Sequence, residues 1–337
     1  MLNEQTKQWL VEVFGSNVRF DEPMSRHTSF GIGGPAEAYV APKKPSELSE
    51  LLKRAFQEKI PYFALGGGTN LLVGDNGIEG LVIFIGNGFD RITKKMSPEG
   101  RVILSAMAGA NLPALCSFAA KNGLSGMNFA MGIPGTVGGA AMMRASSSWG
   151  SMEDVVDRIQ IIWPDGETET LDKNGYINFC AGHFSDFGFR DFGQRFRDFE
   201  QRRPRSLNSG ADGGADQNHA VISNVSFELS LSEPDLVEEE ARMFLAARRK
   251  TQPGGRSAGC FFKNPEKGLP AGQLIEMAGL KGKQIGDAWI SDLHANFIMN
   301  RKNASAKDVL ELMTLARDVV FEKFNVHLEP EVKIVGM

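Results

Sequence analysis

The sequence predicts an α+β protein of two or three domains. Its 337 residues exceed what a single hydrophobic core usually holds. The contents of 42% hydrophobic and 23% charged residues place the chain among soluble globular proteins. Strand and helix patterns alternate up to about residue 88, and two glycine-rich segments each follow apolar residues that can form a strand.

The predicted elements follow from hydrophobic spacing and from capping residues. A helix that begins at Pro45 carries Leu48, Leu51, Leu52, Ala55 and Phe56 on one face. Asn111 caps a second helix, and Ser305 with Asp308 forms a capping box at the start of a last one. Further helices are predicted over residues 1–15 and 233–250, and strands over residues 38–41, 62–65, 81–85, 101–108, 158–163, 222–231 and 331–335.

Charge and cysteine content exclude several classes of function. The net charge of −4 gives no global positive field for nucleic acid or acidic membranes, and no run approaches the roughly 20 apolar residues that span a bilayer. The N-terminal residues lack the pattern of a signal peptide. Three cysteines without CxxC spacing argue against a disulfide framework and against a structural zinc site. We therefore expect a cytoplasmic protein without a metal, a nucleic-acid partner or a membrane.

The two glycine-rich segments are the first candidates for chemistry. GGGTNLLV spans residues 66–73 and GIPGTVGGA spans residues 132–140. Consecutive glycines let a backbone approach another group closely, and converging N–H groups can cradle a phosphate. Thr69 and Asn70 offer side chains that can bond the approaching group. A glycine-rich turn without a ligand explains one such segment equally well, but two in one chain favour an anion-binding site.

A third stretch, RSAGCFFKNP at residues 256–265, contains Cys260, Lys263 and Asn264. A thiol can donate or accept a proton near neutral pH, although most free cysteines are buried small hydrophobes. Glu331 begins the last predicted strand, and Glu329 shares its face if the strand extends that far. His294 has no evident carboxylate partner, so it is interpreted as structural or substrate-adjacent.

A Phe- and Arg-rich stretch at residues 183–205 contains Arg190, Arg195 and Arg197. Any of these guanidinium groups can pair with a substrate carboxylate. Interleaved aromatic and basic residues also occur on single-strand nucleic-acid surfaces, but a surface insertion beside a functional arginine fits the rest of the chain better.

Together these stretches resemble the UDP-N-acetylenolpyruvoylglucosamine reductase family. The resemblance runs from HTSFGIGGPA (residues 27–36) through both glycine-rich segments to AGCFFKNP, HANFIMN and LEPEV. It implies an FAD-binding fold of the PCMH (vanillyl-alcohol-oxidase) type with a smaller C-terminal α/β substrate-binding domain. Three domains are implied: residues 1–88 with the strand at 326–337, residues 89–250 with an insertion at about 180–220, and residues 251–325.

The resemblance also implies cofactors, substrate and site residues. FAD is bound, NADPH donates hydride, and the substrate is a sugar nucleotide carrying an enolpyruvyl group; a monomer or weak homo-oligomer is expected. Cys260 is the implied proton donor, Glu331 the carboxylate that stabilises the intermediate, and Arg190 the contact to the substrate carboxylate. Substrate binding is implied for Lys263 and Asn264. The implied cofactor-binding residues are Gly66, Gly67, Gly68, Thr69, Asn70, Leu71, Ile133, Gly135, Thr136, Gly138 and Gly139.

The chain departs from the family pattern at three places. Cys260 stands where the family has a serine, Phe189 precedes Arg190 where a tyrosine is usual, and Arg144 replaces an asparagine. Two alternatives therefore stay open: a flavin oxidase of the same fold with another substrate, and a non-catalytic paralogue that binds nucleotide.

Overall fold

A computed structural model describes residues 1–96, 101–185 and 220–336. Arg190, Arg195, Arg197 and most of the Phe- and Arg-rich stretch lie outside these residues. The described chain forms three main sheets, and each predicted unit contains one of them.

The first sheet has the strand order β1–β2–β5–β3 and mixes antiparallel and parallel pairing. Helix α2 begins at Pro45 as predicted and buries Leu48, Leu51, Leu52 and Ala55. Phe56, predicted on the same face, is 41% exposed because it lies at the edge of that stripe. The elements of this region are α1 Glu4–Phe14, β1 Val18–Pro23, β2 Pro35–Val40, α2 Pro45–Gln57, β3 Tyr62–Leu65, β4 Leu71–Val73 and β5 Ile78–Phe84.

The second sheet is antiparallel, with the order β12–β11–β13–β7–β6 and with β8 beside β13. Asn111 caps α3 as predicted, because its side-chain oxygen accepts a hydrogen bond from Ala114 N. The elements are β6 Ile92–Met96, β7 Val102–Met107, α3 Leu112–Lys121, β8 Leu124–Ser125, α4 Val137–Met142, β9 Ser146–Ser147, β10 Gly150–Ser151, α5 Met152–Val155, β11 Val156–Ile162, β12 Thr168–Asp172, α6 Lys173–Ser185, β13 Val221–Leu231 and α7 Pro234–Thr251.

Helix α6 continues into the region where an insertion was expected from about residue 180. Tyr176, Phe179 and Cys180 are buried at the i, i+3, i+4 spacing of one helix face, and α6 contacts β11. The helix therefore belongs to the core of the second unit.

The third sheet is antiparallel with the order β14–β17–β16–β15, and α9 packs against it. The predicted capping box of α9 is confirmed, since Ser305 and Asp308 bond each other's backbone N–H groups. Asp75 accepts hydrogen bonds from the next two amides, those of Ala306 and Lys307. The elements are β14 Ser257–Cys260, α8 Ala271–Met277, β15 Gln284–Ile285, β16 Ala288–Ile290, β17 Phe297–Asn300, α9 Ala306–Phe324 and β18 Lys333–Val335.

The C-terminal strand returns to the first unit. β18 pairs in parallel with β4, so that Lys333 lies opposite Leu71 and Val335 opposite Val73. Because β4 directly follows the first glycine-rich segment, this pairing brings the residues before β18 to that segment. The core of the third unit also includes Phe30, Ile32 and Leu72.

Candidate active site

The two glycine-rich segments pack directly against each other. A Cβ atom added to Gly66 would lie 2.4 Å from Thr136 Oγ1, and one added to Gly67 would lie 2.8 Å from Gly135 Cα. Real Cβ atoms do not approach other atoms this closely, so glycine is required at both positions. The segments therefore form one joint surface, which we call the double glycine loop (residues 66–70 and 132–136).

The side chains of the double glycine loop bind its own scaffold. Thr69 Oγ1 donates a hydrogen bond to Pro134 O at 3.3 Å, and Thr136 Oγ1 accepts one from Gly139 N at the start of α4. A Cβ atom on Gly138 would lie 2.6 Å from Ala108 Cβ, so Gly138 serves packing. Leu71 is buried in β4, and Ile133 packs at the edge of the core.

The backbone amides of the double glycine loop remain available to a ligand. No described residue accepts a hydrogen bond from the N–H groups of Gly66 to Asn70, or from those of Gly135 and Thr136. Several N–H groups without acceptors in adjoining turns form an anion-binding concavity. The residues present therefore fit the pyrophosphate of a dinucleotide such as FAD.

Cys260 lies at the end of β14, where the strand pairs irregularly with β17. The irregularity falls between Ser257 and Cys260, and Gly259 adopts φ +82° within it. A Cβ atom on Gly259 would meet nothing within 4 Å. Glycine is therefore needed there for its backbone conformation, which sets the direction of the Cys260 side chain.

A buried amide fixes the chain just after Cys260. Asn296 is 3% exposed; its Nδ2 donates to Phe262 O at 2.7 Å, and its Oδ1 accepts from Phe262 N at 3.0 Å. Phe261 N donates to Asn296 O at 2.9 Å. These bonds hold the segment that carries Cys260 rigidly against β17.

Glu331 joins Cys260 to the double glycine loop. Its backbone N donates to Phe261 O at 2.8 Å, and its backbone O accepts from Asn70 Nδ2 at 3.2 Å. Ser29 makes a second connection, since its N donates to Gly68 O and its Oγ donates to Ser257 O at 2.6 Å. The predicted acid, the predicted carboxylate and the predicted cofactor segment thus meet at one place.

Cys260 and Glu331 line the same pocket, with a volume of about 250 Å³. The pocket is also lined by Phe262, Asn264, Pro270, Gly272, Gln273, Glu276, Leu293, His294, Ala295 and Asn296. A larger groove of about 560 Å³ lies along residues 101–102, 154–157 and 228–231. It contains none of the predicted site residues, so the smaller pocket is the candidate active site.

Desolvation by the surrounding protein raises the pKa of both the Cys260 thiol and the Glu331 carboxyl group. Burial and, as a smaller cause, the negative charge of Glu331 together raise the pKa of the Cys260 thiol to about 12, while Arg248 opposes both effects. Although part of Glu331 is exposed, the protein around its carboxyl group desolvates it and raises its pKa, with Lys263 opposing. Cys260 therefore holds its proton well above neutral pH, as a proton donor must.

Lys263 and Asn264 have partners within the protein. Lys263 Nζ lies 3.4 Å from Glu329 Oε2, and both side chains are exposed. Asn264 Oδ1 accepts a hydrogen bond from Ala271 N at the start of α8, while the residue also lines the pocket. Arg144, the departure from the family pattern, forms an ion pair with Glu153.

The sequence alone assigns no role to Arg248, which lies in the last turn of α7, yet its charge reaches Cys260. From the sequence, His294 is interpreted as structural or substrate-adjacent. His294 lines the pocket, and its Nδ1 accepts a hydrogen bond from Asn296 N at 3.2 Å. Burial lowers the pKa of His294, which favours the neutral ring with a proton on Nε2.

Two other classes of site are not found in the described ranges. Within residues 1–96, 101–185 and 220–336, no group of three or more His, Cys, Asp or Glu side chains is arranged to hold a metal ion. In the same ranges, no helix combines the length and apolar character of a membrane span.

Comparisons with known proteins point to one family. The family model described as UDP-N-acetylenolpyruvoylglucosamine reductase, C-terminal domain, matches residues 251–335, and the model described as FAD binding domain matches residues 36–172. A UDP-N-acetylenolpyruvoylglucosamine reductase of Desulfosudis oleivorans is 43% identical over 336 residues, which cover 99% of this chain and 100% of the relative. One of Syntrophus aciditrophicus is 38% identical over 98% of this chain and 96% of the relative.

A solved structure gives the same result. The crystal structure of UDP-N-acetylenolpyruvylglucosamine reductase from Thermus caldophilus superposes with a TM-score of 0.68 and 32% identity, covering 93% of this chain and 97% of that one. The predicted α+β fold, with a PCMH-type FAD-binding part and a C-terminal domain, is confirmed.

Gly67→Ala is expected to weaken FAD binding at least tenfold, which corresponds to about 1.4 kcal/mol of binding free energy. The reason is that the new Cβ atom would push Gly135 away and open the double glycine loop. Titration of the apoprotein with FAD, followed by flavin fluorescence, measures the affinity. Gly254→Ala is the control, since a Cβ atom there meets nothing within 4 Å. Equal affinities for the two variants would contradict the proposed packing.

The alkylation of Cys260 by iodoacetamide tests its protonation state. Because the thiolate reacts and the pKa is about 12, the rate should rise with pH without reaching a plateau below pH 10. Peptide mass spectrometry at several pH values gives this rate for the native protein. Glu331→Gln should increase the rate modestly, because burial and not the carboxylate is the larger cause. A rate that is half-maximal near pH 8.5 would show an ordinary thiol instead.

Proposed function

Since the chain belongs to the UDP-N-acetylenolpyruvoylglucosamine reductase family, we propose that it reduces the enolpyruvyl group of UDP-N-acetylglucosamine enolpyruvate to give UDP-N-acetylmuramate. This reaction belongs to the synthesis of peptidoglycan precursors. The observation that carries the proposal is the meeting of Cys260 and Glu331 in one pocket beside the double glycine loop. That arrangement also argues against a non-catalytic paralogue.

The double glycine loop holds the cofactor in this proposal. Its unpaired amides at residues 66–70, 135 and 136 would bind the pyrophosphate of FAD. The chemistry that bound FAD supplies is the transfer of hydride from NADPH to C3 of the enolpyruvyl group. The protein must therefore supply a proton at the neighbouring C2 and stabilise the charge that develops between the two steps.

Cys260 supplies that proton. Its thiol stays protonated at neutral pH because burial raises its pKa, and Gly259 and Asn296 fix its direction. The family places a serine here, and a thiol is the stronger acid, so the replacement preserves the role. The S–H bond breaks as the C2–H bond forms, which leaves a thiolate.

Glu331 stabilises the enol-like intermediate and relays protons. Its raised pKa lets the carboxyl group keep a proton at higher pH than an ordinary glutamate. A protonated carboxyl group in the same pocket can donate a hydrogen bond to a developing enolate oxygen, which is where an enzyme of this type lowers the barrier most. It can also return a proton to the Cys260 thiolate.

Arg190, Lys263 and Asn264 bind the substrate in this proposal. Arg190 pairs with the substrate carboxylate through its planar guanidinium group. Lys263 and Asn264 lie on the segment that continues from Cys260, and Asn264 lines the pocket. The exposed position of Lys263 suits a phosphate of the sugar nucleotide better than the reacting centre.

The proposal includes a domain division and a cellular setting. FAD lies between residues 1–88, joined by 326–337, and residues 89–250, while residues 251–325 bind the sugar nucleotide. The separate family models that match residues 36–172 and 251–335 support only the boundary near residue 250. The enzyme works in the cytoplasm as a monomer or weak homo-oligomer, and its product serves cell-wall synthesis and cell division.

Anaerobic half-reactions test the function. NADPH should reduce the bound flavin, and the enolpyruvyl sugar nucleotide should reoxidise it. In Cys260→Ala the reduction should be unchanged, whereas reoxidation should slow by about 10²–10⁴-fold, as expected on loss of a general acid. Cys260→Ser should retain substantial activity. A colourless protein that takes up no FAD would exclude the function, and normal turnover of Cys260→Ala would exclude only the proton donor.

A panel of three variants tests the carboxylate contact. Arg190→Ala should raise the KM for the enolpyruvyl substrate at least tenfold, because a bidentate pair to its carboxylate is lost. Arg195→Ala and Arg197→Ala are the matched controls from the same stretch and should leave KM within about twofold. If one of the two controls raises the KM while Arg190→Ala leaves it normal, the contact to the substrate carboxylate belongs to that control residue instead.

A further inference from the structure

Arg248 lies between the second half of the double glycine loop and the candidate acid. It stands in the last turn of α7, and its Cδ lies 3.4 Å from the place that a Cβ atom of Gly132 would occupy. Its charge acts on Cys260, where it opposes the rise in the thiol pKa. The side chain thus lies against the cofactor segment and within electrostatic reach of Cys260.

The guanidinium group of Arg248 is buried without an adequate partner. Its Nη1 is fully buried and has no hydrogen-bond acceptor among the described residues. Its Nε lies 3.5 Å from Gln252 Oε1, at the limit of a hydrogen bond. Burial lowers the pKa of Arg248, and no carboxylate in the described ranges forms an ion pair with it. A buried donor without an acceptor is strongly unfavourable, which indicates that a ligand supplies one.

The chemistry of the reaction identifies this ligand, if the proposed function holds. Hydride reaches C3 and the proton from Cys260 reaches C2, so the two donors must approach adjacent carbon atoms. The ring that delivers hydride must therefore lie close to Cys260. The Arg248 side chain contacts the Gly132 position and its charge acts on Cys260, as expected of a guanidinium group beside that ring.

We propose that Arg248 donates a hydrogen bond to the pyrimidine end of the flavin ring and stabilises the negative charge that this ring gains on reduction. A fixed cation there raises the reduction potential of the flavin, because it interacts more strongly with the reduced form. The inference rests on the proposed function and assigns a new role within its site. The competing ligand for the same cation is the substrate carboxylate.

The reduction potential of bound FAD tests the assignment without reference to turnover. In Arg248→Met the equilibrium should shift against the reduced flavin at least tenfold, about 30 mV for a two-electron couple. Arg248→Lys keeps the charge and should retain most of the potential. Arg249→Met is the matched control, because Arg249 is the exposed neighbour in the same helical turn. Equilibration with a redox dye of known potential measures all four proteins.

The other possible results distinguish a contact to the flavin from a contact to the substrate and from a packing role. An unchanged potential in Arg248→Met with weaker binding of the enolpyruvyl substrate would overturn the proposal and assign the cation to the substrate carboxylate. An unchanged potential with unchanged binding would leave Arg248 a packing role only. If Arg248→Met loses FAD, Arg248→Gln supplies the same comparison, since it keeps a donor and removes the charge. Failure of the wild-type protein to bind FAD would instead reject the proposed function.

Discussion

The parallel pairing of β18 with β4 is the constraint on which the candidate site depends. It attaches the C-terminal strand to the residues that directly follow the first glycine-rich segment. Asn70 then reaches from that segment to Glu331 O, and Glu331 N reaches Phe261 O beside Cys260. Residues separated by as many as 261 positions in the chain thereby become neighbours in one pocket.

Backbone and side-chain groups have different roles in this region. Backbone amides of the double glycine loop are free for a cofactor, while Thr69, Asn70 and Ser29 use their side chains to hold neighbouring segments. The glycines serve mainly to let the two halves of the loop touch. The position of the double glycine loop is therefore coupled to the positions of Cys260 and Glu331 through a few hydrogen bonds.

Much of the fold could be predicted from the sequence, because its signals are local. Asn111, Pro45 and the Ser305–Asp308 box mark helix starts, and hydrophobic spacing marks the faces they bury. Cys260 and Glu331 were candidates from their sequence context and received their roles from the family resemblance, but their spatial relation to the loop could not be predicted. Arg248 was missed because its burial arises from tertiary packing, whereas its sequence context is typical of a solvated helix end.

The central claim is that the double glycine loop holds a flavin whose reactive ring faces Cys260 and Glu331. A crystal structure of the protein with FAD and the enolpyruvyl sugar nucleotide tests it most directly. The account predicts the pyrophosphate on the amides of residues 66–70 and the ring beside the Cys260 thiol, with the enolpyruvyl group between them. A flavin ring that points away from the pocket of Cys260 and Glu331 would contradict it.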